Sequence, residues 1–279
     1  MNDYVFVADF FADEVPGGGE LNNEELINIM SSSKKNIIKI KSRNISKQFI
    51  ENNSNCKFII ANFIMLSDES KKCFLNKNYV IYEHDHKYIK SRNPADFKDF
   101  KAPKDQIINE TFYQNARAVL CQSNFHKNII DKNLTKVNTI SLSGNIWSIE
   151  ILNLIEEICI QNKIDKYAIM NSNIHHKNTS DAVKYCLYNN YDYVLIPSMP
   201  YKQFLTELGK YTKLIFFPKT PETLSRIAVE ARMMNMSVLT NSNLGASGEE
   251  WFSLKGRDLI SVIKNKRLEI SNLIENILK

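Results

Sequence analysis

Short apolar runs alternate with longer amphipathic stretches along the whole chain. Residues 4–10, 36–40, 58–63, 79–82 and 118–121 are apolar, short and bounded by polar or turn residues, which predicts strands. Between them, residues 22–30, 42–52, 67–75, 106–114 and 124–131 carry helical spacing. The alternation then restarts. Residues 149–162 read as a helix, 167–170 a strand, 179–188 a helix, 193–196 a strand, 200–209 a helix, 213–217 a strand, 224–235 a helix and 237–240 a strand. Residues 258–279 form a long amphipathic helix with Leu259, Val262, Ile263, Ile270, Leu273 and Ile277 on its apolar side. Strand–helix alternation predicts parallel sheets covered on both faces. The restart predicts two α/β domains, 1–148 and 149–279, with a junction near residues 144–165. Parallel sheets bind ligands at the carboxyl ends of their strands, so the polar residues just after strands are the candidates, and a cleft between the two sheets is the expected site.

Composition narrows the class. The chain has 279 residues, 43% of them hydrophobic and 24% charged, enough for a core without disulfides or metal. Eight glycines and seven prolines exclude collagen-like and Pro/Gly-rich disordered chains. No stretch approaches the roughly 20 apolar residues of a membrane span. Residues 1–15 have no basic segment and carry Asp9 within the apolar run; they read as a first strand rather than a signal peptide. The five cysteines lack any CxxC spacing and fit reduced, mostly buried thiols of a cytoplasmic protein. The net charge of +5 admits an anionic partner, such as nucleotide phosphates, acidic lipid headgroups or DNA, without selecting one.

The segment 217–231, FPKTPETLSRIAVEA, carries the most chemistry. A strand ends, a Pro-bounded loop follows, and a helix begins near Ser225. Seven residues separate Glu222 in the loop from Glu230 in the helix. A helix N-terminus suits a diphosphate, and carboxylates beside it accept from sugar hydroxyls; the plain alternative is a capping charge and a solvated helix residue. Upstream, the strand 167–170 leads into Asn171-Ser172 and then Lys177-Asn178. His175 and His176 lack further ligands at metal spacing and read as loop residues. Pro16-Gly17-Gly18-Gly19-Glu20 follows the first strand; it is neither GxGxxG nor a P-loop. The strand 79–82 ends in Glu83-His84-Asp85-His86, followed by the basic, aromatic run 87–94, which reads as an acceptor contact or a solvated loop. Cys121 is expected buried and Ser123 to cap a helix. No side chain stands out as a nucleophile.

These residues resemble retaining glycosyltransferases of the GT-B fold, specifically family 4. Glu222, Glu230-Ala231 and Val238-Leu239-Thr240 fall in register with the family's Glu-x7-Glu segment. Five residues depart from it: Thr223-Leu224-Ser225 replaces Gly-Phe-Gly, Asn235 a glycine and Ser237 a proline. Lys177 matches the lysine that binds the donor diphosphate, while Ser172 stands where the family has arginine; Arg226 is a candidate to compensate. The glycine run resembles the family's first loop, and His84 matches a histidine that contacts the donor sugar.

The resemblance implies two Rossmann-like domains facing a cleft, the C-terminal helix bracing both. It implies sugar transfer from a nucleotide-diphosphate donor, a UDP-sugar or GDP-sugar, to a hydroxyl acceptor, with retention and no required divalent metal or other cofactor. His84, Lys177 and Glu222 would carry catalysis. Gly18, Gly19, Thr223, Leu224, Ser225, Arg226 and Glu230 would complete the donor site, with Glu222 on the sugar and Glu230 on the ribose. Ser198, Met199 and Tyr201 would lie near the base. A surface glycan or lipid-linked sugar is the expected acceptor, with peripheral contact to the inner membrane face. Two alternatives stand beside it: a phage-type enzyme acting on modified DNA bases, and a catalytically silent GT-B-like binding protein, which the missing arginine favours.

Overall fold

The computed structural model describes residues 3–279, which divide into two compact units. The first contains the described residues up to Ile146 together with Lys266–Lys279; the second is Trp147–Asn265.

The first unit follows the order β1 Tyr4–Ala8, α1 Gly18–Ser32, β2 Ile37–Lys41, α2 Lys47–Asn52, β3 Lys57–Ile60, α3 Asp68–Phe74, β4 Tyr79–Tyr82, α4 Glu110–Asn115, β5 Val119–Cys121, α5 Asn124–Asn133, β6 Thr139–Ser141. Its six-stranded sheet runs β2-β1-β3-β4-β5-β6, every pairing parallel. Side chains alternate across a strand, and the consecutive apolar residues therefore feed two cores. Val5, Val7, Phe58, Ile60, Tyr79 and Ile81 enter one. Tyr4, Phe6, Ala8, Ile59, Val80 and Tyr82 enter the other, with Leu26 and Met30 of α1.

The second unit contains α6 Ile149–Cys159, β7 Ile164–Met170, α7 Thr179–Tyr188, β8 Tyr193–Ile196, α8 Tyr201–Leu208, β9 Tyr211–Phe216, α9 Arg226–Met233 and β10 Ser237–Thr240, and α10 Gly256–Ile277 begins there. Its four-stranded parallel sheet runs β10-β9-β7-β8. The chain moves outward from β7 to β8, then returns to β9 on the other side of β7. Strand order reverses between β7 and β9, which makes that crevice the switch point where such sheets bind ligands. Ala168, Leu214 and Phe216 face a large core with Leu259 and Ile263 of α10; Ile169 and Ile215 face a smaller one with Ala182 and Cys186 of α7. Farther along α10, Ile270 and Ile274 join the core of the first unit. The sequence division at 148/149 assigns the whole helix to the second domain, whereas α10 leaves the second unit and ends in the first.

Several boundaries differ from the sequence reading for local reasons. The first strand stops at Ala8 because Asp9 turns away, its carboxylate accepting from the Ile64 and Met65 N–H groups at 2.9 and 3.0 Å. Gly18 and Gly19 form the first turn of α1 rather than a loop. The helix expected over 42–52 splits into a 3₁₀ turn, Ser42–Asn44, and α2, which Ser46 caps. The helix expected from 106 begins only at Glu110, since Asn109 adopts φ 58°. Strand β6 was missed: Thr-Ile-Ser is short and half-buried, with no apolar run to mark it. Serine caps at Ser67, Ser123 and Ser148 accept from Ser70, His126 and Ile151 N–H groups at 3.0–3.2 Å, each contributing about 1 kcal/mol. All five cysteines are free, four of them buried. No described helix is long and apolar enough to cross a membrane.

Candidate active site

In the second unit the loops after β7, β9 and β10 meet at the carboxyl edge of the sheet. The loop after β7 closes in a 3₁₀ turn, His175–Lys177. Asn178 follows at φ 58°, ψ 44°, a left-handed conformation that asparagine tolerates. Its Nδ2 donates to the Phe217 carbonyl at 2.9 Å, and the Lys219 N–H donates to the His176 carbonyl at 2.9 Å. These bonds tie the β7 loop to the β9 loop. The β9 loop is held from its other side. The Glu222 N–H donates to Asn243 O at 2.8 Å, and the Gly245 N–H donates to Glu222 O at 2.9 Å. Asn241 and Asn243 both donate to the Pro218 carbonyl.

This framework brings two of the nominated side chains together. Lys177 Nζ donates to Glu222 Oε1 at 2.7 Å, with side-chain exposures of 26% and 16%. The ammonium also lies 5.6 Å from the centre of the Phe216 ring. The pair stands at the β7/β9 switch point, partly desolvated and still open to water. Ser172 supplies no cation there. Its Oγ accepts from the Ile174 N–H, and its own N–H donates to Thr179 Oγ1. His175 and His176 are exposed, and burial and the neighbouring Lys177 lower the pKa of His176. Among the described residues no group of His, Cys, Asp or Glu is arranged to hold a metal ion.

The start of α9 is unusual. Ser225 is buried at φ 79° with its hydroxyl unpartnered. Leu224 is buried in the core, so its side chain cannot reach a ligand. Arg226 lays its guanidinium 4.3 Å from the centre of the Trp147 ring and donates to the Tyr201 hydroxyl at 3.3 Å. Glu230 is 2% exposed. Its Oε1 accepts from Trp147 Nε1 at 2.8 Å and from the Tyr201 hydroxyl at 2.6 Å, with Arg226 Nε at 3.5 Å. The alternative of a solvated helix residue is thereby corrected: a turn inside α9 faces the core, and the carboxylate has buried donors of its own. Burial, with the Glu230 charge adding, raises the pKa of the Tyr201 hydroxyl, so it remains a donor. Ser198 is exposed and Met199 half-buried, packed against the core.

In the first unit His84 lies just past β4. Its Nε2 donates to Asn23 Oδ1 at 2.6 Å, while Nδ1 accepts from Gln122 Nε2, bonds that suit a neutral ring protonated on Nε2. Asn145 Nδ2 donates to Gln122 Oε1 at 3.3 Å. A methyl group placed on Gly19 would lie 3.5 Å from His84 Cγ, so the first turn of α1 packs directly on this ring.

No family model matches the chain, and no curated protein matches it in sequence. Solved structures do match in fold. A glycosyltransferase from Rickettsia africae ESF-5 aligns over 100% of this chain and 94% of its own, with a TM-score of 0.53 and 11% identity. HepE from Anabaena, solved with UDP-glucose, aligns over 100% and 93% with a TM-score of 0.51 and 10% identity. An alpha-glucosyltransferase solved with UDP and a 13-mer DNA containing an A:G mismatch aligns over 100% and 93%, with a TM-score of 0.50 and 10% identity. The chain has the GT-B fold.

Within this GT-B fold the second unit joins Lys177 to Glu222 and Arg226 to Glu230 and Tyr201; the first joins Gly19 to His84. Sequence reasoning passed over Trp147, Asn23 and Asn145. A lone tryptophan in an apolar stretch reads as core, and asparagines are too common in this chain to stand out. That reasoning named Glu83, Asp85 and the run beginning at Lys87, the last as an acceptor contact or solvated loop, but not that Lys87 is buried with Glu83 in an ionic cluster beside His84. Lys87 is 2% exposed and donates to Glu83 and, at 2.8 Å, to Asp85; Tyr113 also donates to Glu83. Burial raises the Glu83 carboxyl to about 7. His126 is lowered to about 4, also by burial. Its Nδ1 already accepts from the Gln122 N–H and its Nε2 donates to Asp85 O, which leaves no acceptor for a second proton.

Proposed function

We propose that this chain transfers a sugar from a UDP- or GDP-sugar to a hydroxyl acceptor, with retention of configuration and without a required divalent metal. The observation that carries the reading is the 2.7 Å Lys177–Glu222 pair at the β7/β9 switch point. Two separate motifs nominate these residues, and they meet where an open parallel sheet takes its ligand. The GT-B fold supports the same chemistry. In this reading the family 4 resemblance extends to roles: Lys177 stabilises charge on the departing diphosphate, helped by the N-terminus of α9. Glu222 shares that lysine and orients the sugar. Glu230 directs Oε1 to Trp147 and Tyr201, leaving a ribose contact to Oε2. Arg226 acts through Tyr201, and the base lies against Ser198, Met199 and Tyr201. His84, Gly18 and Gly19 of the first unit carry the donor-sugar roles that the resemblance implies for them. The acceptor is a surface glycan or lipid-linked sugar, reached from the cytoplasm with peripheral membrane contact.

A ligand that binds only the folded state stabilises it by about 2.7 kcal/mol at a hundredfold excess over Kd. UDP or GDP is expected to raise the melting temperature, and the matching nucleotide-sugar to raise it further. Lys177→Ala is expected to lower turnover by a factor of roughly 100, and turnover is expected to persist in EDTA. No shift with any nucleotide or nucleotide-sugar at millimolar concentration would move the assignment to a silent binding protein. One second reading, transfer to a modified DNA base, accords with the net charge of +5 and with the DNA held by the fold-related alpha-glucosyltransferase. That reading requires tight, modification-dependent duplex binding with a steep salt dependence.

A further inference from the structure

The basic run 87–94 has no part in donor binding as proposed above. In the structure it helps to enclose a cavity of about 450 Å³ lying wholly within the first unit. Phe63 and Ile64, after β3, and Lys71 of α3 line the same space. The cavity therefore sits where β3 and β4 end, on the ligand-binding edge of the parallel sheet and the edge that carries His84.

Four cations line it, Lys71, Lys87, Lys90 and Arg92, against a single carboxylate, Asp68. Their pairing differs. Lys71 lies 3.0 Å from Asp68, which is itself 86% exposed. Lys87 is buried and held by Glu83 and Asp85. Arg92 is 3.6 Å from Asp85. Lys90 is exposed and has no carboxylate partner among the described residues. Even with Glu83 and Asp85 counted, cations outnumber carboxylates. The remaining wall is apolar: Phe63 lies 5.4 Å beneath the Lys87 ammonium, and Ile64 is 53% exposed. That exposure is built in, because Asp9 clamps the Ile64 and Met65 N–H groups and fixes the loop.

We propose that this cavity binds the phosphate of a phosphomonoester-bearing acceptor, with Lys90 and Arg92 on the phosphate oxygens and Ile64 against the adjoining apolar part. The inference rests on the glycosyl-transfer reading and narrows its acceptor class. A phosphomonoester concentrates a charge of about −1.5 to −2 on three acceptor oxygens, which a cationic wall with one lysine unclaimed selects over a neutral glycan. Duplex DNA would instead need cations tracking successive phosphates.

The same chemistry is available from a soluble ester or from a lipid headgroup, and two probes separate them. The full chain is titrated with glycerol phosphate by calorimetry, and with phosphatidylcholine vesicles with and without phosphatidic acid by sedimentation. The double variant Lys90→Gln/Arg92→Gln alters only exposed side chains and is run beside the wild type, with UDP titrated into both. The expected result is salt-sensitive binding of glycerol phosphate or of phosphatidic acid vesicles, weakened at least about tenfold per cation removed, with UDP affinity unchanged. Binding of the soluble ester alone assigns a soluble acceptor; binding of the acidic vesicles alone assigns a lipid. Equal binding by wild type and variant, no binding of either probe, or preference for a duplex oligonucleotide overturns the proposal. Failure of wild type to bind UDP overturns the donor reading instead, and is read independently of the cavity.

Discussion

Replacing Glu230 by alanine removes the shared acceptor of three neighbours in the second unit. Trp147 Nε1 and the Tyr201 hydroxyl lose their acceptor, and Arg226, 12% exposed in its side chain, loses its counter-charge. Each buried group left without a partner costs about 1–3 kcal/mol, and breaking a buried charged pair about 3–5. The contributions overlap, so we expect a loss of about 3–4 kcal/mol, a large part of a domain's usual 5–15. Glu230→Gln keeps one carbonyl acceptor and should cost only about 1–2 kcal/mol. The protein supplies its own reporter, since its two tryptophans, Trp147 and Trp251, both belong to the second unit. Urea titration followed by tryptophan fluorescence therefore reads that unit. With a slope of about 1.5–2 kcal/mol per molar urea, the alanine midpoint should fall by about 2 M and the glutamine midpoint by about half as much. Alanine and glutamine midpoints both within about 0.3 M of wild type, at unchanged slope, would refute the argument. Glu230 would then carry no structural weight, and its ribose role would stand alone.

Two further outcomes follow from local geometry. Ser225 holds φ 79° with a buried, unpartnered hydroxyl, so Ser225→Gly should stabilise the second unit by about 1 kcal/mol on the same urea titration, and a comparable loss would contradict the strain. The second outcome concerns pH. Glu83 titrates near 7 when folded against 4.5 in the free side chain, so between those values the folded state holds the extra proton and stability falls as pH rises. His126 titrates near 4 against 6.5, so there the unfolded state holds the extra proton and stability rises with pH. The two act in opposite directions. Glu83→Gln should therefore make stability rise more steeply with pH between about 4 and 6.5 than in wild type, by up to about 3 kcal/mol, and a variant profile no steeper than that of wild type would count against the Glu83 shift.

Much of the architecture was legible because it depends on short-range pattern. Buried parallel strands need consecutive apolar residues, and residues 79–82, 193–196 and 237–240 coincide with β4, β8 and β10. Ser123 could be read as a cap because the cap is a contact between near neighbours. Two backbone features were hidden in the same segment: Ser225 and Asn235, where the resemblance expects glycine, both adopt positive φ, 79° and 66°. What the sequence alone could not decide is which distant side chains share a space. That Lys177 reaches Glu222 depends on β7 and β9 being neighbours, a matter of strand order. That Glu230 meets Trp147, 83 positions away, depends on helix packing. Buried polar partners are selected by desolvation, since an unpaired group is costly only once it leaves water, and burial belongs to the folded chain alone.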